Sequence, residues 1–115
     1  MDPNCLFCRI VAGEIPANLL FEDDDLIAFT DIAPKAPVHV LVVPKLHHPH
    51  LFATGEAEAP LLGRMMTTAV ELARRTGLEP GGFRLVMNCL DDAGQSVHHL
   101  HLHLLGGRHM EWPPG

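Results

Sequence analysis

No apolar run in this 115-residue chain approaches the roughly 18 residues that a membrane-spanning helix requires. Positive charge is scarce as well. Lys and Arg number 8 against 14 Asp and Glu, which leaves a formal net charge of -6 with histidine neutral, and no basic run exists. Nucleic-acid polymers are gripped through clustered cations, so extended DNA or RNA is a disfavoured partner. A small phosphate ligand is still allowed, because backbone N–H groups hold phosphate without net charge. The first residues, Met1-Asp2-Pro3-Asn4, lack a basic segment followed by an apolar stretch. No secretory leader is therefore expected, and the cytoplasm is the default location. Three cysteines, an odd number, do not make a disulfide framework. Repeats, low-complexity segments and linkers are missing too, so one domain over residues 1–115 is expected. Its 47% hydrophobic content is enough for a real core.

What the chain does have is histidine, concentrated in Gly94-Gln95-Ser96-Val97-His98-His99-Leu100-His101-Leu102-His103-Leu104-Leu105-Gly106-Gly107. From Val97 this stretch reads as a strand, with bulky residues, glycine on both flanks and apolar residues at alternate positions. Alternation puts His99, His101 and His103 on one face, about 7 Å apart at a rise of about 3.3 Å per residue. Leu100, Leu102 and Leu104 take the other face, with His98, and pack on a core. A single strand histidine is ordinarily a satisfied core or surface residue. Three at two-residue spacing behind Gly-Gln-Ser call for chemistry: an imidazole metal site, or nucleophilic and acid–base catalysis.

Elsewhere the pattern is mixed. Cys5-Leu6-Phe7-Cys8 reads as half of a zinc site, or as two small buried thiols on a short helix; a redox pair would need a βαβ context that is missing. Leu19–Glu22 and Leu26–Thr30 read as a hairpin across Asp23-Asp24-Asp25, whose carboxylates are expected to be solvated. Two prolines make 31–39 an irregular loop. Val38–Lys45 is a β-branched strand ended by Pro44. Ala57–Thr76 is helical, with Leu61, Leu62, Met65, Met66, Ala69, Val70, Leu72 and Ala73 at three- and four-residue steps, Gly77 as C-cap and the Met pair as core filler. Phe83–Asn88 reads as the strand beside the histidine strand, and Cys89 as a buried thiol.

His99-Leu100-His101-Leu102-His103-Leu104-Leu105 matches the His-φ-His-φ-His-φ-φ signature, and the chain is identified as resembling the histidine triad (HIT) family over almost its whole length. Gly94-Gln95-Ser96 before the triad, and Gly106 through Trp112-Pro113-Pro114-Gly115 after it, are similar to the Hint branch, the purine nucleoside phosphoramidases. The resemblance implies an α+β, HIT-like fold: an antiparallel sheet of about five strands with one long and one short helix, dimerising through the long helix. It implies hydrolysis of AMP or GMP phosphoramidates through a covalent nucleotidyl-histidine. His101 is the implied nucleophile, attacking the α-phosphorus. His103 binds the phosphate oxygens, and His99 fixes the strand or adds to the site. His39 supports the triad by hydrogen bonding. Backbone N–H groups near Gly94 and Gln95 hold phosphate, and Ser96 holds phosphate or meets the leaving group. Asp31 accepts from the ribose hydroxyls, a role suited to a carboxylate; the reading of Asp31 from residues alone is a turn or cap. Ile32 packs on the base and Asn88 contacts the nucleotide.

By the same resemblance Cys5, Cys8, His47 and His99 would hold a structural zinc, a closed Cys₂His₂ set, with His48 and His50 competing for the place of His47. No metal is implied in the reaction, and the sequence offers no carboxylate cluster for Mg²⁺. The family leads one to expect glycine at Leu90 and Ala93, so the loop there departs from its pattern. The tail resembles one that reaches toward a partner's active site; alone it reads as a frayed end. Three other readings stay open: a dinucleoside polyphosphate or other nucleotidyl hydrolase, a nucleotide- or zinc-binding regulatory module with little turnover, and a catalytic His₃ zinc centre.

Overall fold

The computed structural model describes residues 2–115. A short helix α1 (Leu6–Val11) opens the chain, followed by strands β1 (Leu19–Glu22), β2 (Leu26–Thr30) and β3 (Val38–Pro44). Two 3₁₀ turns, Leu51–Ala53 and Glu56–Glu58, lead into the long helix α2 (Ala59–Arg75). Strand β4 (Phe83–Val86), a third 3₁₀ turn (Asp91–Ala93) and strand β5 (Leu102–Gly106) complete it. The five strands form one antiparallel sheet in the order β1-β2-β3-β5-β4, as the sequence leads one to expect.

The sheet is covered on both faces, which explains the nearly unbroken apolar runs of β2 and β3. On one side α2 lays down Met65, Ala69, Leu72 and Ala73 against Ala28, Val40, Val42, Leu100, Leu102 and Leu104. On the other, Phe7 and Cys8 of α1 pack on Ile27, Phe29, Leu41 and Val43. Pro60 stands in the first turn of α2, where its missing N–H costs nothing, and Arg74 and Arg75 in the last turn complement the helix dipole. Of the Met pair, Met65 is fully buried and Met66 is exposed, so only one fills the core.

Several boundaries differ from the sequence-based expectation. The long helix starts at Ala59 and not Ala57, and β4 stops at Val86, leaving Asn88 beyond it. The histidine strand begins at Leu102 and not Val97. The cause is visible in the register. Val42 pairs with Leu102, so Leu100 would face Pro44, which has no N–H to offer. The Pro44 carbonyl is taken by the His99 ring (Nε2 to O 2.7 Å), and the Leu100 N–H turns to the His48 carbonyl at 2.7 Å. The ladder ends there, and His98, instead of joining the leucine face, is exposed. Cys89 is half-buried rather than buried.

The acid turn is not merely solvated either. Asp23 Oδ1 accepts from the N–H groups of Asp25 and Leu26, both at 2.8 Å, and Oδ2 pairs with Arg64 of α2. The Arg64 hydrogen bond, with those of the turn, holds the Asp23 carboxyl down at about 2. Turn and helix are thereby pinned together. The tail is tied as well, since Arg84 of β4 donates to the Glu111 carbonyl at 2.9 Å.

Candidate active site and metal centre

Where β5 meets α1 the structure encloses a cavity of about 280 Å³. Leu6, Phe7 and Ile10 of α1, with Phe29 and Leu41 of the sheet, make its apolar wall. Asp31, Ile32, Ser96, Val97, His101 and His103 also line it. Ile32 is 98% exposed, an unusual state for a large aliphatic side chain that lines a cavity. No Lys or Arg lines this space. A larger cavity of about 430 Å³, bounded by Asp24, Lys45 and Arg64, contains none of the triad.

Main-chain groups set the tautomers of His39, His99 and His101, and His39 passes the setting on to His103. The Lys35 N–H donates to His39 Nδ1 at 3.0 Å. His39 must therefore carry its proton on Nε2, which donates to His103 Nδ1 at 2.9 Å. His103 in turn keeps its proton on Nε2, as a donor. His101 Nδ1–H donates to the His99 carbonyl at 2.7 Å, which leaves the Nε2 of His101 with an unshared pair. His99 donates from Nε2 to Pro44, which leaves its Nδ1 as an acceptor. Three identical side chains thus present a donor, an unshared pair beside the cavity, and an acceptor beside the thiols.

Burial keeps them neutral. It is the largest influence on all three, holding His99 and His103 down at about 4 and lowering His101. Burial also lowers His39, against the opposing pull of Asp31, whose Oδ2 lies 3.5 Å from His39 Nε2. Asp31, His39 and His103 place donor atoms close enough for a metal. The proton that Lys35 forces onto His39 Nε2 argues against one there. Among the described residues the ring nitrogens of His99, His101 and His103 do not converge as a metal-holding group, so the geometry does not form a His₃ centre.

A second constellation lies behind His99. Cys5 Sγ is 3.2 Å from His99 Nδ1, Cys8 Sγ is 3.3 Å from His47 Nδ1, and the two Nδ1 atoms are 3.1 Å apart. All four ligand atoms fall within 4.8 Å of one another. Two thiols and two imidazoles, one ring locked by a carbonyl behind it, are a donor set that could hold a metal ion tetrahedrally. His47 takes the third place; His48 and His50 stay outside the group. Phe7, between the cysteines, packs edge-on against His101 at 5.1 Å and His99 at 5.8 Å.

The remaining predicted residues fall into two sets. Asp31 lines the cavity, and its Oδ1 also caps its own loop, accepting from the Ala33 N–H at 2.8 Å. Ser96 lines the cavity. Asn88 lies two residues past Val86, the partner of His103, outside the cavity lining. Gly94 and Gln95 do not line it, and their N–H groups are spent inside the loop, on the Asp91 carbonyl (3.0 Å) and the Leu90 carbonyl (3.1 Å). The next two N–H groups in the chain, of Ser96 and Val97, find no backbone acceptor among the described residues. Sequence reasoning also missed Phe7, the Lys35 N–H and the Pro44 carbonyl. Only Phe7 had a signal, its place between two predicted ligands; main-chain groups carry none.

Comparison with known proteins gives a consistent result. The HIT domain model matches residues 12–110. A 14 kDa zinc-binding protein of Brassica juncea is 45% identical, covering 96% of this chain and 98% of that one. An adenylylsulfatase of Arabidopsis thaliana is 44% identical over 99% of this chain and 78% of its own length. A HIT family hydrolase from Legionella pneumophila superimposes with a TM-score of 0.95 at 49% identity, covering 97% of this chain and all of that one.

Proposed function

This chain belongs to the HIT family, and from that premise we propose that it is a nucleotide-binding hydrolase that cleaves purine nucleoside 5′-phosphoramidates. The observation that carries the reading is the His101 tautomer: a neutral imidazole, its Nδ1–H held by a carbonyl, with an unshared pair on Nε2 beside the cavity. That nitrogen attacks the α-phosphorus, the P–N bond to the amine breaks, and the amine departs with a proton that the Ser96 hydroxyl passes on from solvent water. Water then attacks the nucleotidyl-histidine, releasing the nucleoside monophosphate and restoring His101. His103 Nε2–H, with the N–H groups of Ser96 and Val97, meets the charge that develops on the phosphoryl oxygens. The Ser96 hydroxyl serves the leaving group, Asp31 takes the ribose hydroxyls, and Ile32 with the α1 wall takes the base. Asn88 serves the nucleotide from outside the cavity wall.

The cationless lining favours a substrate with one phosphate over a dinucleoside polyphosphate, whose added charges would lack partners. The same absence disfavours adenylyl sulfate, the substrate class in the name of the Arabidopsis relative. Cys5, Cys8, His47 and His99 hold zinc as a structural ion. The working molecule is a homodimer, a reading supported by the open edge of β4 and the exposed Phe83 and Met66. Sedimentation at micromolar concentration tests that point.

Steady-state hydrolysis of AMP- and GMP-linked amines by the metal-depleted protein tests the activity. Turnover in the wild type and a loss of at least about 10³-fold in His101→Ala, with AMP still bound, is the expected result. Full activity in the variant removes His101 as nucleophile. Faster cleavage of a diadenosine polyphosphate than of the amine conjugate moves the substrate to that class. Nucleotide binding without turnover leaves a binding module.

A further inference from the structure

Gln95 is buried, 6% exposed, and sits between the left-handed Gly94 (φ 75°) and Ser96. Its carboxamide is fully engaged. Oε1 accepts from the Leu90 N–H at 2.9 Å. Nε2 donates to the Pro49 carbonyl at 2.8 Å and to the Val97 carbonyl at 3.1 Å. The Gln95 main-chain N–H returns to the Leu90 carbonyl, so Leu90 is gripped from both its N–H and its C=O. Leu90 is the one non-glycine residue at positive φ (68°) among those described. One side chain therefore ties together the strained loop, the segment carrying His47 to His50, and the backbone that enters the cavity wall at Ser96 and Val97.

We propose that Gln95 is a positioning residue for phosphoryl transfer: its carboxamide, out of reach of substrate, fixes where the Ser96 and Val97 N–H groups stand relative to His101. The inference rests on the proposed reaction at His101 but adds to it a residue whose every polar atom faces the protein. A side chain with no free donor or acceptor has nothing to offer a nucleotide. It can still set the geometry of two donors that have no other partner, and donors that stabilise a transition state are sensitive to displacements below 1 Å.

The test uses two variants of the full-length protein. Gln95→Met keeps length and apolar volume and removes all three hydrogen bonds. Gln95→Glu keeps an acceptor for Leu90 and sets oxygen against the Pro49 and Val97 carbonyls. The first readout needs no turnover: amide hydrogen exchange in the ligand-free protein. Exchange faster by about 10-fold or more at residues 90–97, with β2 and β3 unchanged, is expected in both variants. Unchanged exchange at 90–97 overturns the proposal. The second is the kcat against KM split on an AMP-linked amine, with kcat down about 10²-fold and the AMP Kd within about threefold of wild type. Wild-type kcat with lowered thermal stability, or a Kd weakened in step with kcat/KM, also overturns it. Absence of turnover in the wild type counts against the phosphoramidase reading, while the exchange data still decide on Gln95.

Discussion

At the scale of the residue, the site is built less from what its histidines are than from the partner each ring meets, a main-chain group for His39, His99 and His101 and the His39 ring for His103. The Lys35 hydrogen bond to His39 is made by its N–H, and its side-chain charge adds only the smallest of the influences on the His39 ring, after burial and Asp31. Lys35→Ala should therefore leave kcat within about twofold, whereas His39→Ala, which frees the tautomer of His103, should lower it by about 10–10²-fold at unchanged fold; parallel kinetics and circular dichroism check both. Leu90 makes a second case. Its φ of 68° lies where a side chain is strained and glycine is not. Leu90→Gly should raise stability by about 1 kcal/mol, strain relief exceeding the added chain entropy, read as a higher denaturant midpoint at constant m. The expectation of glycine there was legible from the family pattern. The clamp that tolerates leucine was not, because Gln95 reads in sequence as part of a binding motif and only the fold shows its amide turned inward.

At the scale of the element, period and composition located every strand and the long helix, with errors at their ends, while the short helix stood only as one of two readings of Cys5–Cys8 and as what the resemblance implies. The histidine strand is the instructive one. Its alternating pattern runs on through Val97, and nothing local stops it. What stops it is Pro44, fifty-odd residues away, which faces Leu100 across the ladder; pairing partners are a tertiary fact that a one-dimensional pattern does not carry. The acid turn failed for the same reason, since its partner Arg64 lies on α2. The far end of β5 sets a testable limit. A Cβ on Gly106 would stand 2.5 Å from a Leu78 methyl carbon. Gly106→Ala should cost about 1–3 kcal/mol through overpacking, and less than that in a Leu78→Ala background, where the space is free. Chemical denaturation of the three variants measures both effects.

At the scale of the whole molecule, two sites share one sheet face, and both depend on burying imidazoles uncharged. His103 titrates at about 4 in the fold against an ordinary 6.5. Between these values the unfolded chain holds a proton that the native protein does not, so stability rises with pH through the window and is lost as pH falls from about 6.5 to about 4. Urea midpoints across that range should fall in the wild type and fall less steeply in His103→Asn. The candidate metal centre is tested separately. One equivalent of Zn²⁺ added to metal-depleted protein should raise Tm in the wild type and not in Cys8→Ser, since a ligand that binds only the native state stabilises it. Among the described residues no helix is long and apolar enough to cross a membrane.

His99 belongs to both sites, and it divides itself between them at the peptide bond. Its ring faces the thiols and the Pro44 carbonyl; its carbonyl faces His101. A substitution reaches the ring and leaves the carbonyl in place. The two centres touching at one residue are therefore severable: a chain could shed its ion-holding half, thiols and imidazole together, and still hand His101 the oxygen that orients it.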